Sequence, residues 1–197
     1  ESHFAIPTKV VCLTDRDPVR KKKNVEGKWL QCYPYELAMD TAKYDYCINA
    51  EDDIRKYSTY ANIRVFSQDK NIGKTFEYDL ALCNPNLELL LTESINNKKE
   101  LRELMSKTKL QDMLGILRES KANTRIKNAI NGSSWSDEDK KKAVVASRYL
   151  NSVGKGENAL ELSVSLKDNF ELADSNPEKK VFNVPQYIQE ALIWLLQ

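Results

Sequence analysis

Two short β-branched runs, each followed by polar residues and then a helical pattern, constrain the fold more than anything else in this chain. The first is Lys9 to Thr14 (KVVCLT) and the second is Ile63 to Phe66 (IRVF). Brief apolar runs of this kind, bounded by turn residues, read as buried strands. Tyr35 to Tyr60 is mixed in character, with a helix predicted to end before Asn62, and Gln68 to Lys74 with Gly73 reads as a turn. Thr75 can cap a helix in which Phe76, Leu80 and Cys83 recur at helical spacing. Strand, helix, strand, helix is the order of a parallel α/β sheet.

From Pro85 to Leu150 the pattern turns helical. Leu87, Leu90 and Leu91, then Leu101, Leu104 and Met105, then Leu110, Leu114 and Leu117 fall at helical intervals. Ser136 with Asp139 three residues on resembles a capping box for a helix carrying Val144, Val145 and Tyr149, and Gly154 suits its end. Lys155 to Leu166 reads as a further helix, and a closing one starts near Pro185 with Ile188, Leu192 and Leu195 as its apolar stripe. The expected organisation is an α/β core over 1–84, a helical insertion over 85–150, and helices over 151–197 that return to the core.

Charge and residue usage narrow the chemistry. With 30 basic and 29 acidic residues, the chain lacks the global basic excess of many nucleic-acid binders. No run reaches the roughly 18 apolar residues of a membrane span, so no membrane partner is expected. Cys12, Cys32, Cys47 and Cys83 form no CxxC pair, which argues against structural zinc and for reduced thiols in a cytoplasmic setting. His3 is the only histidine, so a histidine-metal cluster or a Ser-His-Asp triad would depend on that one residue. Carboxylates, lysines and metal are left to carry any catalysis.

Asp15 and Asp17, in Leu13-Thr14-Asp15-Arg16-Asp17-Pro18, follow the first strand. Open α/β sheets place their sites at such carboxyl ends. Two acids this close can hold a hard divalent cation, or they can simply build a polar turn. Thr75-Phe76-Glu77-Tyr78-Asp79 adds two acids at a helix start. Residues two apart on a helix face different ways, so Glu77 is favoured for the site, with Asp79 and Thr75 as supporting or structural residues. The alternative for both acids is compensation of the helix dipole. Lys155, between Gly154 and Gly156, is either a phosphate-facing lysine or a solvated one. Arg16, Arg20, Lys21, Lys22 and Lys23 lie close to Asp15 in sequence and are candidate DNA-phosphate contacts, or a solvated charged loop extending to Lys28. Gly73-Lys74-Thr75 is no Walker A loop, because Gln68 stands where its first glycine would be.

Taken together, VVCLTDRDP at 10–18, IRVFSQDKNIGKTFEYDLAL at 63–82, GKGENALELS at 154–163 and VPQYIQEALIWL at 184–195 resemble the Toprim region of the OLD (overcoming lysogenization defect) family nucleases. The resemblance implies a Toprim-like parallel sheet flanked by helices, and cleavage of DNA with two Mg²⁺ or Mn²⁺ ions. It matches Asp15 and Asp17 to the metal-holding pair, Glu77 to a further acidic site position, and Lys155 to the lysine facing the scissile phosphate. It also implies a role in antiphage defence, homo-oligomers formed through an ATPase region, and a helicase-like partner protein.

Two family features are not found in the sequence: a glutamate after an earlier strand, and the ABC-type ATPase region. Glu1 does not fit the first, since seven residues separate it from Lys9. The expectation is a piece that begins partway through its catalytic domain, with weak metal binding and little cleavage by itself. The alternative is a non-catalytic Toprim-like module that binds nucleic acid or protein, its carboxylates serving as caps and turns. A primase or topoisomerase of Toprim type ranks below both, because nothing marks a nucleophile among the nine tyrosines.

Overall fold

A computed structural model describes residues 8–197; Glu1 and His3 lie outside them. In chain order the strands are β1 (Val10–Leu13), β2 (Pro18–Lys22), β3 (Leu30–Gln31), β4 (Tyr44–Ile48) and β5 (Ile63–Phe66). The helices are α1 (Ala50–Tyr57), α2 (Phe76–Cys83), α3 (Lys98–Met105), α4 (Leu110–Ile116), α5 (Lys121–Gly132), α6 (Asp137–Leu150), α7 (Lys155–Glu171) and α8 (Gln186–Leu196). The chain is a mixed α/β protein whose described residues divide into two compact units, residues 8–76 with 184–197, and residues 77–183.

In the first unit β1 and β5 pair in parallel, with Val10 opposite Ile63 and Leu13 opposite Phe66. Both are among the β-branched runs legible in the sequence. Trp194 of α8 anchors the helix to this pair. Its ring lies 6.3 Å from that of Phe66, and Lys9 and Arg64 approach it at 5.3 and 5.1 Å. Lys9 Nζ also donates to the Trp194 carbonyl at 3.1 Å.

A second, antiparallel sheet of order β3-β2-β4 corrects the expectation of a loop from Arg20 to Lys28. The chain is a strand as far as Lys22, because the cations have cross-strand partners. Lys21 faces Asp45, Arg20 faces Tyr46, and the Arg20 guanidinium lies 4.8 Å from the Tyr44 ring. Arg20 also pairs with the buried Glu36 at 3.3 Å. An antiparallel sheet with a solvated face tolerates charge that a buried parallel strand would exclude.

The second unit, over 77–183, is helical. Leu90, Leu101, Leu104, Ile126, Ile130, Val144 and Tyr149 are fully buried in its core. Among them is a buried ion pair, with Arg148 Nε donating to Glu100 Oε1 at 2.6 Å. Asn123 Nδ2 donates to the same oxygen at 3.3 Å, and Arg148 Nη1 donates to Ser152 at 2.9 Å. Charge buried at this depth persists because the carboxylate and the guanidinium are both hydrogen-bonded. Ser136 caps α6, accepting from the Asp139 N–H at 3.1 Å, while its hydroxyl bonds the Asp139 carboxylate at 2.6 Å. Asn84 and Asn183 clasp the two ends of the unit through a reciprocal pair of 2.8 Å bonds. Among the described residues no helix is long and apolar enough to cross a membrane.

Candidate functional site

β1 ends at Leu13, so Asp15 and Asp17 do not continue a strand; they stand in the turn that carries the chain to β2. The turn is tied to the one after β5 chiefly by Gln68, which is 2 % exposed. Gln68 Oε1 accepts from the Arg16 N–H at 2.8 Å, and its Nε2 donates to Asp15 Oδ1 at 2.9 Å. The Arg16 guanidinium reaches back to the Gln68 carbonyl at 3.4 Å. Both halves of one amide are thus spent on holding adjacent residues of the acidic turn.

Asp15 Oδ1 takes a second bond, from the Phe76 N–H that opens α2, at 2.9 Å. The carboxylate satisfies a donor that a helix start leaves without an intrahelical partner. Among the described residues Asp15 Oδ2 receives no hydrogen bond. Asp17 has a φ of 43°, the left-handed region that aspartate tolerates better than most residues, and its N–H donates to the Lys74 carbonyl at 3.1 Å.

Gly73 explains why this turn lies so close. A Cβ there would meet Gln68 Cβ at 2.3 Å and the Asp69 backbone at 2.7 and 2.8 Å. Lys74 is buried, donating to the Cys32 carbonyl at 2.9 Å with the Tyr33 ring 5.6 Å away. Gly73-Lys74-Thr75 is therefore engaged in packing. Thr75 is buried immediately before α2.

The candidate phosphate contacts divide. Arg16 is buried and binds Gln68 and, at 3.2 Å, Glu51. Arg20 is engaged by Glu36 and Tyr44. Lys22 and Lys23 are exposed and Lys21 half-exposed, with Lys23 Nζ 3.6 Å from Asp45.

Glu77, Asp79 and Lys155 belong to the second unit. Asp79 is buried in α2, where it adds to the burial that pushes the Cys83 thiol up. Glu77 is half-buried and close enough to Tyr149 to act on its titration. Burial, chiefly, pushes that phenol up to about 12; the hydrogen bond to Asn158 pulls the other way, and Glu77 adds to the rise. Tyr149 Oη donates to Asn158 Oδ1 at 3.0 Å, and Asn158 Nδ2 donates to Thr92 Oγ1 at 2.8 Å. Asn158 lies in the first turn of α7, its N–H bonded to the Gly154 carbonyl at 2.9 Å. Lys155 opens α7 as expected, and its side chain lies outside what the structure describes. Within this unit, Tyr149 links the neighbourhood of Glu77 to the start of α7.

Gln68 and Asn158 are the residues that sequence reasoning missed. Each is an amide in a polar stretch, and the available signal was position: Gln68 follows a strand, and Asn158 lies in the first turn after Gly154. Among the described residues no group of three or more acids, cysteines or histidines is gathered as for a metal ion. Comparison with protein-family models, with curated proteins and with solved structures found no match.

Proposed function

We propose that this chain is the metal-dependent, DNA-cleaving part of a Toprim-type nuclease of the kind the OLD family represents. The observation that carries the reading is the placement of Asp15. It stands at the carboxyl end of β1 in a parallel pair, fixed by Gln68 and by the Phe76 N–H that immediately precedes Glu77 in the chain. Rigid support for a carboxylate at a strand end is what a functional site requires.

The donor set suits one hard cation. Asp15 and Asp17 offer oxygen ligands from one turn, and Mg²⁺ is commonly held by one or two carboxylates with phosphate and water completing its shell. When bound, Mg²⁺ or Mn²⁺ offsets charge on the phosphate oxygens. A two-ion site needs acids beyond this pair, and Glu77 is the residue the resemblance supplies. Lys155 is assigned by the same resemblance to neutralise the scissile phosphate. DNA is the proposed substrate, antiphage defence the proposed setting, and homo-oligomers and a helicase-like protein the proposed partners.

The second reading, a non-catalytic module, draws on the same residues. Asp15 Oδ1 already serves the start of α2, and Asp79 is buried. Asp15→Asn separates the two, because the amide keeps the Oδ1 acceptor and loses the charge. The nuclease reading expects an unchanged thermal midpoint, Mg²⁺ affinity lower by about tenfold or more in calorimetric titration and, in the full-length protein, loss of nicking of supercoiled plasmid. An Asp15→Asn chain that binds Mg²⁺ as the unaltered chain does would leave the module reading in place.

A further inference from the structure

The end of β2 and the turn to β3 carry a feature that the metal site does not use. Five basic residues and one acid lie between Arg20 and Lys28 in a chain whose net charge is only +1. Arg20 is spent on Glu36; Lys21, Lys22 and Lys23, the last 3.6 Å from Asp45, line an open pocket of about 460 Å³ together with Val25, Trp29 and Asp45. Trp29 is 47 % exposed and Val25 49 %. A tryptophan half in water beside three lysines is a poor contributor to a core and a good stacking platform.

We propose that this pocket binds single-stranded nucleic acid, with the lysines on the phosphates and a base stacked on Trp29. The acids favour this occupant over an anionic lipid surface. Asp45 and Glu26 line the same pocket. They would repel a sheet of headgroups, whereas the exposed Asp45 carboxylate can accept from an exocyclic base amine. A duplex keeps its bases stacked inside, so the exposed ring selects a single strand.

The inference deepens the nucleic-acid reading above and rests on it for the polymer alone, not for cleavage. Binding of a labelled oligodeoxycytidylate is therefore measured in EDTA, against a duplex of equal length, an oligoribocytidylate and phosphatidylserine vesicles. Expected are preference for the single strand, quenching of tryptophan emission, and affinity about tenfold lower in Trp29→Ala, largely restored in Trp29→Phe. A chain with Lys21, Lys22 and Lys23 all changed to Ala should show a salt dependence of log K shallower by about 2. Equal binding of the ribo-oligomer supports the proposal, since stacking does not read the sugar. No oligonucleotide binding, unaltered binding by Trp29→Ala, preference for duplex, or binding of vesicles alone overturns it. Asp15→Asn should leave this binding intact, and Trp29→Ala should leave the Mg²⁺ titration intact, so the two readings fail separately.

Discussion

The two units solve the problem of cohesion differently. The first uses short strands and polar clamps. Val10, Leu13 and Leu30 are exposed on its strands, and its best-buried side chains include Gln68, Glu36 and Lys74. The second buries leucine, isoleucine, valine and tyrosine between helices and sets a buried ion pair among them. In the first unit position is fixed by hydrogen bonds, which contribute modestly but direct side chains closely. In the second it is fixed by apolar area, which contributes more and specifies less. The candidate carboxylates Asp15 and Asp17 stand in the unit built for direction.

Removing Arg148 should produce the largest effect. It takes the closest cation from the buried Glu100 carboxylate, leaving it Asn123 and the more distant Arg118, and Arg148→Ala should lower stability to urea by about 3 kcal/mol. A loss under about 1 kcal/mol would mean that the helical unit does not depend on its ion pair. Next comes a matched pair of truncations. Leu101→Ala in the second unit should cost about 3 kcal/mol, and Leu13→Ala in the first within about 0.5 kcal/mol. Equal costs would erase the contrast between the units.

Gln68→Ala tests the clamp. It should cost about 2 kcal/mol, with faster amide exchange confined to the Asp15–Asp17 turn and the Phe76 N–H. Exchange that rises uniformly would show Gln68 to be an ordinary buried residue.

The last test is read against pH. Tyr149 titrates higher in the folded chain, about 12 against 10, so its folded neutral form stabilises fully below pH 10. That contribution is lost as pH rises through the folded value. The thermal midpoint of the unaltered chain should therefore fall more steeply between pH 10 and 12 than that of Tyr149→Phe. Parallel curves would remove Tyr149 from the account of the second unit.

Legibility in the sequence followed the same division. β1, β5, α2, α6 and α7 were visible because apolar spacing or a cap announces them, and the buried Leu101, Leu104, Val144 and Tyr149 lie on helices that this spacing marks. β2 and β4 were not. Their cations and tyrosines are satisfied across strands, and pairing between distant segments leaves no local mark. At the candidate site, residue types and order pointed to Asp15, Asp17 and Glu77. The clamp that holds Asp15 did not show, since a buried glutamine in a turn has the same letters around it as a solvated one.

Asp17 has a consequence for how such a site changes over generations. Its φ of 43° makes the backbone itself selective at that position. If conformation alone governed it, drift would run among aspartate, asparagine and glycine, which share a tolerance for left-handed geometry. If charge governed it, glutamate would be the natural alternative, yet its longer chain gains no such tolerance. Under both demands at once aspartate is the one residue that serves. An alanine there changes backbone and charge together, whereas asparagine isolates the charge.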